Sequence, residues 1–155
     1  MSTVHLAFTP DPAYVRTVRL VAAAVARRAG VADELLDEVR LAIGEACTRA
    51  VALHRRYELA DLIDVSMSDG GRFTVWVTDR GPIASAEGEP GETTANVIAQ
   101  VAAEAGRAAV EEDLIMAGVG LALLNGLVTD LGVTAAPDGS GTEVRMSWPL
   151  KKASH

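Results

Sequence analysis

Glu45 and Arg49 lie one helical turn apart, and two glycine clusters, Asp79-Arg80-Gly81 and Gly118-Val119-Gly120-Leu121, flank a loose acidic stretch. These residue types could do nucleotide chemistry. A carboxylate at position 79 can accept a hydrogen bond from an exocyclic amine such as that of adenine. Gly81 beside it lets a flat base approach the backbone with no Cβ in the way. Gly118 and Gly120 ahead of a helix leave backbone N–H groups free for phosphate oxygens, helped by the helix dipole. Glu45 could orient a hydroxyl or a water that attacks a phosphoryl group. Each feature also has an ordinary reading. Asp-x-Gly commonly marks a turn, Gly-x-Gly often does no more than open a helix, and an exposed Glu45–Arg49 pair contributes only roughly 0.2–0.5 kcal/mol.

Other chemistries find less support. The glycine segment lacks the Gly-Lys-Ser/Thr ending of a P-loop, and no parallel β-α-β unit surrounds it as a dinucleotide fingerprint requires. His5, His54 and His155 are scattered, so neither a zinc cluster nor a Ser-His-Asp arrangement can be assembled. Cys47 is the single cysteine, which excludes an internal disulfide and fits a reducing compartment; inside an apolar helix it reads as a buried thiol.

The elements that must position these residues follow from periodicity and punctuation. Val4 to Phe8 reads as a first strand. Asp11-Pro12 opens a helix with Asp11 as cap, Tyr14, Val18, Val21 and Val25 forming its apolar stripe, alanines widening it and Gly30 ending it. A second helix is expected from Asp33 to about Leu53, burying Leu36, Val39, Ile43, Ala46 and Ala50. Leu62–Ser68 and Arg72–Asp79 alternate with period two around Asp69-Gly70-Gly71, a hairpin signal, because Asp-Gly tolerates positive φ. Asp79 continues the inward face of its strand, where an unpaired carboxylate would be costly.

Pro82 to Gly91 reads as a loop and Thr93 to Ala105 as a helix of weaker pattern. Glu111-Glu112-Asp113 leads to a further helix over Gly120–Leu131. Strands near Leu131–Ala135 and Gly141–Trp148 close the chain, joined by Pro137-Asp138-Gly139-Ser140. The order β-α-α-β-β-(α)-α-β-β predicts an α+β fold, a two-layer α/β sandwich whose mixed, mostly antiparallel sheet carries its helices on one face. Residues 1–150 are expected to form a single domain and 151–155 a frayed tail.

Hydrophobic residues make up 49 % of the 155 and aromatics only 4 %, so the core must be built from Ala, Val and Leu. The formal charge of −7, with 14 basic and 21 acidic residues, argues against direct nucleic-acid binding. No apolar run approaches the roughly 18 residues of a membrane span, and the first residues show no export signal. A cytoplasmic protein with a protein or nucleotide partner is expected.

Taken in order, these pieces resemble the ATP-binding domain shared by gyrase-type ATPases, heat-shock chaperones, mismatch-repair ATPases and histidine kinases. More closely, the chain looks like the small bacterial anti-sigma factors that are also serine-protein kinases, over Leu6 to Pro149. The family's Glu-x-x-x-Asn-Ala reads here Glu45-Ala46-Cys47-Thr48-Arg49-Ala50. Its adenine-reading Asp-x-Gly corresponds to Asp79-Arg80-Gly81, and its phosphate-binding Gly-x-Gly-Leu to Gly118-Val119-Gly120-Leu121. The strand start Gly141-Thr142 corresponds to residues near the adenine, and the lid to about Ile83–Ala117.

The resemblance implies a homodimer that binds ATP or ADP and an alternative RNA polymerase sigma factor, and that an anti-anti-sigma antagonist releases. Glu45 would be the catalytic base, with Arg49, Asp79, Gly81, Gly118, Gly120, Leu121 and Thr142 about the nucleotide. Two departures bear on activity. Arginine has five donors and no acceptor, so Arg49 cannot hold Mg²⁺ as the family asparagine does, although its guanidinium is able to neutralise a triphosphate directly. Ile83 replaces the second glycine of the first box. Three readings stay open: a binding regulator in which kinase activity is lost, an active serine-protein kinase using Glu45, and a nucleotide-free adaptor.

Overall fold

The computed structural model describes residues 2–81, 128, 130–136 and 141–151. Its elements run β1 (Thr3–Phe8), α1 (Ala13–Ala29), α2 (Asp33–Arg56), β2 (Ile63–Ser68), β3 (Arg72–Thr78), β4 (Leu131–Ala135) and β5 (Thr142–Pro149). The loop expected after Pro82, the helices expected over Thr93–Ala105 and Gly120–Leu131, the lid with Ile83, the turn at Pro137–Ser140 and residues 152–155 lie wholly or mainly outside the described residues.

The five strands form one sheet in the order β1-β2-β3-β5-β4, each neighbouring pair antiparallel. The two helices pack on each other and α2 lies against β2 and β3. This is the two-layer sandwich that the pattern of elements predicts. Alternation decides which side faces the helices. Ile63, Val65, Met67, Phe73, Val75, Val77, Val144, Met146 and Trp148 are buried, whereas the residues between them are mostly polar and partly exposed. Each such apolar side chain contributes roughly 1.5–3 kcal/mol on burial. Phe73 and Trp148 sit opposite each other in the β3–β5 ladder with tilted rings 6.1 Å apart.

Local chemistry sets the helix ends. The Asp11 carboxylate accepts the Ala13 N–H at 2.9 Å, satisfying one of the donors that the first turn of α1 leaves open. Gly30 closes α1 at φ 107°, with Val31 N–H bonded back to the Ala26 carbonyl. The corner after it is tied to the sheet: Val31 bridges Leu150, and the Lys151 N–H donates to the Gly30 carbonyl at 2.7 Å.

Two readings of the sequence need correction. The fully buried residues of α1 are Val18, Ala22, Ala23 and Ala26; Val21 and Val25 are half-buried and pack against the core as the stripe requires, whereas Tyr14 is exposed. Positions 18, 22 and 26 follow one another at four-residue spacing on one face of the helix. α2 also buries Ala42, Ala46 and Ala50. The second correction is that α2 continues to Arg56, which brings His54 inside the helix. Cys47 is fully buried on α2, and burial pushes its thiol up to about 12, so it remains protonated and unreactive at neutral pH.

Candidate functional site

β3 ends at Thr78, and the chain leaves the sheet through Asp79-Arg80-Gly81 directly against the last turns of α2. The inward face of β3 runs Phe73, Val75, Val77 and then Asp79, so strand geometry alone delivers a carboxylate into the core. On α2, Arg49 falls between Ala46 and Ala50 of the buried stripe, and helix geometry directs its side chain the same way. The two meet: Arg49 Nη1 donates to Asp79 Oδ2 at 2.6 Å, with side-chain exposures of 2 % and 1 %. Gly81 N–H donates to the other carboxylate oxygen, Oδ1, at 2.9 Å. Arg49 Nε has no hydrogen-bond partner among the described residues.

The backbone around Asp79 is held as tightly as its side chain. Its N–H donates to the Thr142 carbonyl at 3.0 Å, and Gly141 adopts φ 99°. A Cβ on Gly141 would stand 1.9 Å from the Asp79 carbonyl oxygen, so only glycine allows β5 to begin against this residue. Gly81 is similarly enclosed: its missing Cβ would lie 3.1 Å from the Leu53 side chain. A further contact comes from His54, which is fully buried. Its Nε2 accepts the Arg80 N–H at 2.8 Å, and because that amide can only donate, the ring proton belongs on Nδ1, 3.1 Å from the Asp61 carbonyl oxygen. Two side chains of α2, Arg49 and His54, therefore grip two successive residues of the β3 exit.

Of the residues expected to form a nucleotide site, Arg49, Asp79, Gly81, Gly141 and Thr142 are gathered at this exit. Glu45 is half-buried one turn before Arg49 on α2. Among the described residues, Arg49 pairs with Asp79 and not with Glu45. Gly118, Gly120 and Leu121 lie outside the described residues. No group of three His, Cys, Asp or Glu side chains among the described residues could hold a metal ion, and none of the described helices is long and apolar enough to cross a membrane.

Sequence reasoning misses His54, because the periodic pattern ends the helix near Leu53, one residue short of it. It also paired Arg49 within its own helix. The clue was an arginine on the apolar stripe of α2 combined with an inward aspartate at a strand end.

The described half of the site does not fit a purine amine or Mg²⁺ as it stands. Both Asp79 oxygens already accept hydrogen bonds, the carboxylate is shut off from solvent, Leu53 fills the space beside Gly81, and Arg49 offers donors only. A concavity of about 580 Å³ lies instead on the outer polar face of the sheet, lined by His5, Asp64, Ser66, Thr78, Arg80 and Glu143 among others.

Compared with known families, residues 8–148 match the model described as the histidine kinase-like ATPase domain. No curated protein matches the chain.

Proposed function

The chain belongs to the histidine kinase-like ATPase domain family, and from that membership we propose that it is a regulatory binding protein, an anti-sigma factor that works by partner exchange without phosphoryl transfer. An alternative RNA polymerase sigma factor is its target and a small anti-anti-sigma protein its competitor. The ordered motifs Glu45-x-x-x-Arg49-Ala50, Asp79-x-Gly81, Gly118-x-Gly120-Leu121 and Gly141-Thr142 support the regulatory family.

The observation that carries the loss of catalysis is the buried Arg49–Asp79 pair. Phosphoryl transfer depends on a cation that bridges phosphate oxygens and neutralises developing charge. A guanidinium that ligates no cation and is committed to Asp79 does not supply that function. Glu45, left without a held cation beside it, has no activated phosphate to work on.

The purified chain, used as bait against a bacterial lysate, should retain a sigma factor that a small antagonist displaces. Failure to capture either partner would reject the anti-sigma reading. Incubation of the antagonist with radiolabelled ATP should give no label above a Glu45→Gln background. Transfer above that background would restore the serine-protein kinase.

A further inference from the structure

We infer that Arg49 is an internal stand-in for the base, a guanidinium that occupies the carboxylate of Asp79 and shuts the adenine end of the pocket by default. This rests on the family reading for the identity of the pocket, and not on which protein the chain binds.

Four features on α2 and the β3 exit converge on it. Arg49 Nη1 donates to Asp79 Oδ2 at 2.6 Å, the kind of bond that an exocyclic amine would otherwise donate. Asp79 Oδ1 accepts the Gly81 N–H at 2.9 Å, so both carboxylate oxygens are already engaged within the fold. Leu53 closes the Cβ side of Gly81, its own Cβ only 3.1 Å from where that atom would stand. Finally, both members of the pair are almost wholly buried, so the carboxylate cannot simply rotate to meet an incoming base. A nucleotide must displace the guanidinium and leave that charge buried without its partner, which is strongly unfavourable. Arg49 is thus a specificity-determining residue that acts against ligand entry.

Isothermal calorimetry with ADP tests this on the purified chain. The wild type should bind ADP more weakly than about 1 mM, and Arg49→Asn should tighten binding by roughly 10- to 100-fold, the factor for one charge-assisted hydrogen bond regained. Arg49→Met keeps the apolar stem and removes every donor; it should show the same gain and serves if asparagine at this buried position prevents folding. The gain should favour ADP over GDP, because guanine presents an acceptor where adenine presents its amine, and Arg49→Asn/Asp79→Ala should abolish it. Micromolar ADP binding by the wild type would overturn the inference, whichever variants fold. So would a folded Arg49 variant with no gain. None of these outcomes depends on sigma-factor capture, so this inference and the anti-sigma reading fail separately.

Discussion

Two arginine–aspartate clusters in this protein use the same chemistry in opposite settings. Arg49 and Asp79 join α2 to the β3 exit with almost no solvent contact, whereas Asp130, just before β4, gathers Arg145, Arg72 and Ser147 with the charged groups about 40 % exposed or more. Water sets their value. The surface cluster has more bonds, yet its charges are screened and either partner can be rehydrated when the other is lost. The interior pair has one ion-pair contact, but neither partner can be rehydrated in place. Counting contacts would rank the two in the wrong order.

The largest expected effect comes from breaking the interior pair. Arg49→Met or Asp79→Ala should each cost about 3–5 kcal/mol in urea unfolding, because each leaves a buried charge alone. Arg49→Met/Asp79→Leu, which removes both charges and fills the space, should recover most of that loss. Single variants that cost no more than a surface pair would erase the contrast. A comparable effect is expected at Gly141→Ala, where about 1–3 kcal/mol from the left-handed backbone is joined by a clash with the Asp79 carbonyl that only a backbone shift relieves. In that background the coupling between Arg49 and Asp79 should also shrink, which a double-mutant cycle reads directly.

The smallest effect is at the surface. Asp130→Asn should cost below about 1 kcal/mol and fade in high salt. Its pH signature gives the sign. Hydrogen bonds from Ser147 and then Arg145 hold the Asp130 carboxyl below its ordinary 3.8. The stabilisation is therefore complete above that ordinary value and disappears as pH falls through the depressed one. Acid unfolding of Asp130→Asn should lack this component, and an unchanged acid limb would show that the cluster contributes nothing.

The fold was readable because its signals are local. Period-two runs around Asp69-Gly70-Gly71, the stop at Gly30 and the stripe Leu36, Val39, Ile43, Ala46 and Ala50 each need only neighbouring residues. The inward placement of Asp79 was equally readable, as was its need for a partner. The partner itself was not, since Arg49 lies 30 positions away and sequence spacing favours the neighbour Glu45. Nor did periodicity reveal that Ala22, Ala23 and Ala26 of α1 would be more deeply buried than Val21 and Val25, which only half-bury against the same core.

The clasp between Val31 and Leu150 has a mechanical consequence. It lies just ahead of α2, while Arg49 is 16 residues beyond Asp33, about 24 Å along the axis at the usual rise. Besides its buried stripe, the helix is consequently held at two distant ends, one by backbone hydrogen bonds just ahead of it and the other by Arg49 and His54. Cutting the charged mooring would leave His54, among the described residues, as the remaining side-chain hydrogen bond from α2 to the β3 exit, so the load of that junction would pass from charge to a single imidazole.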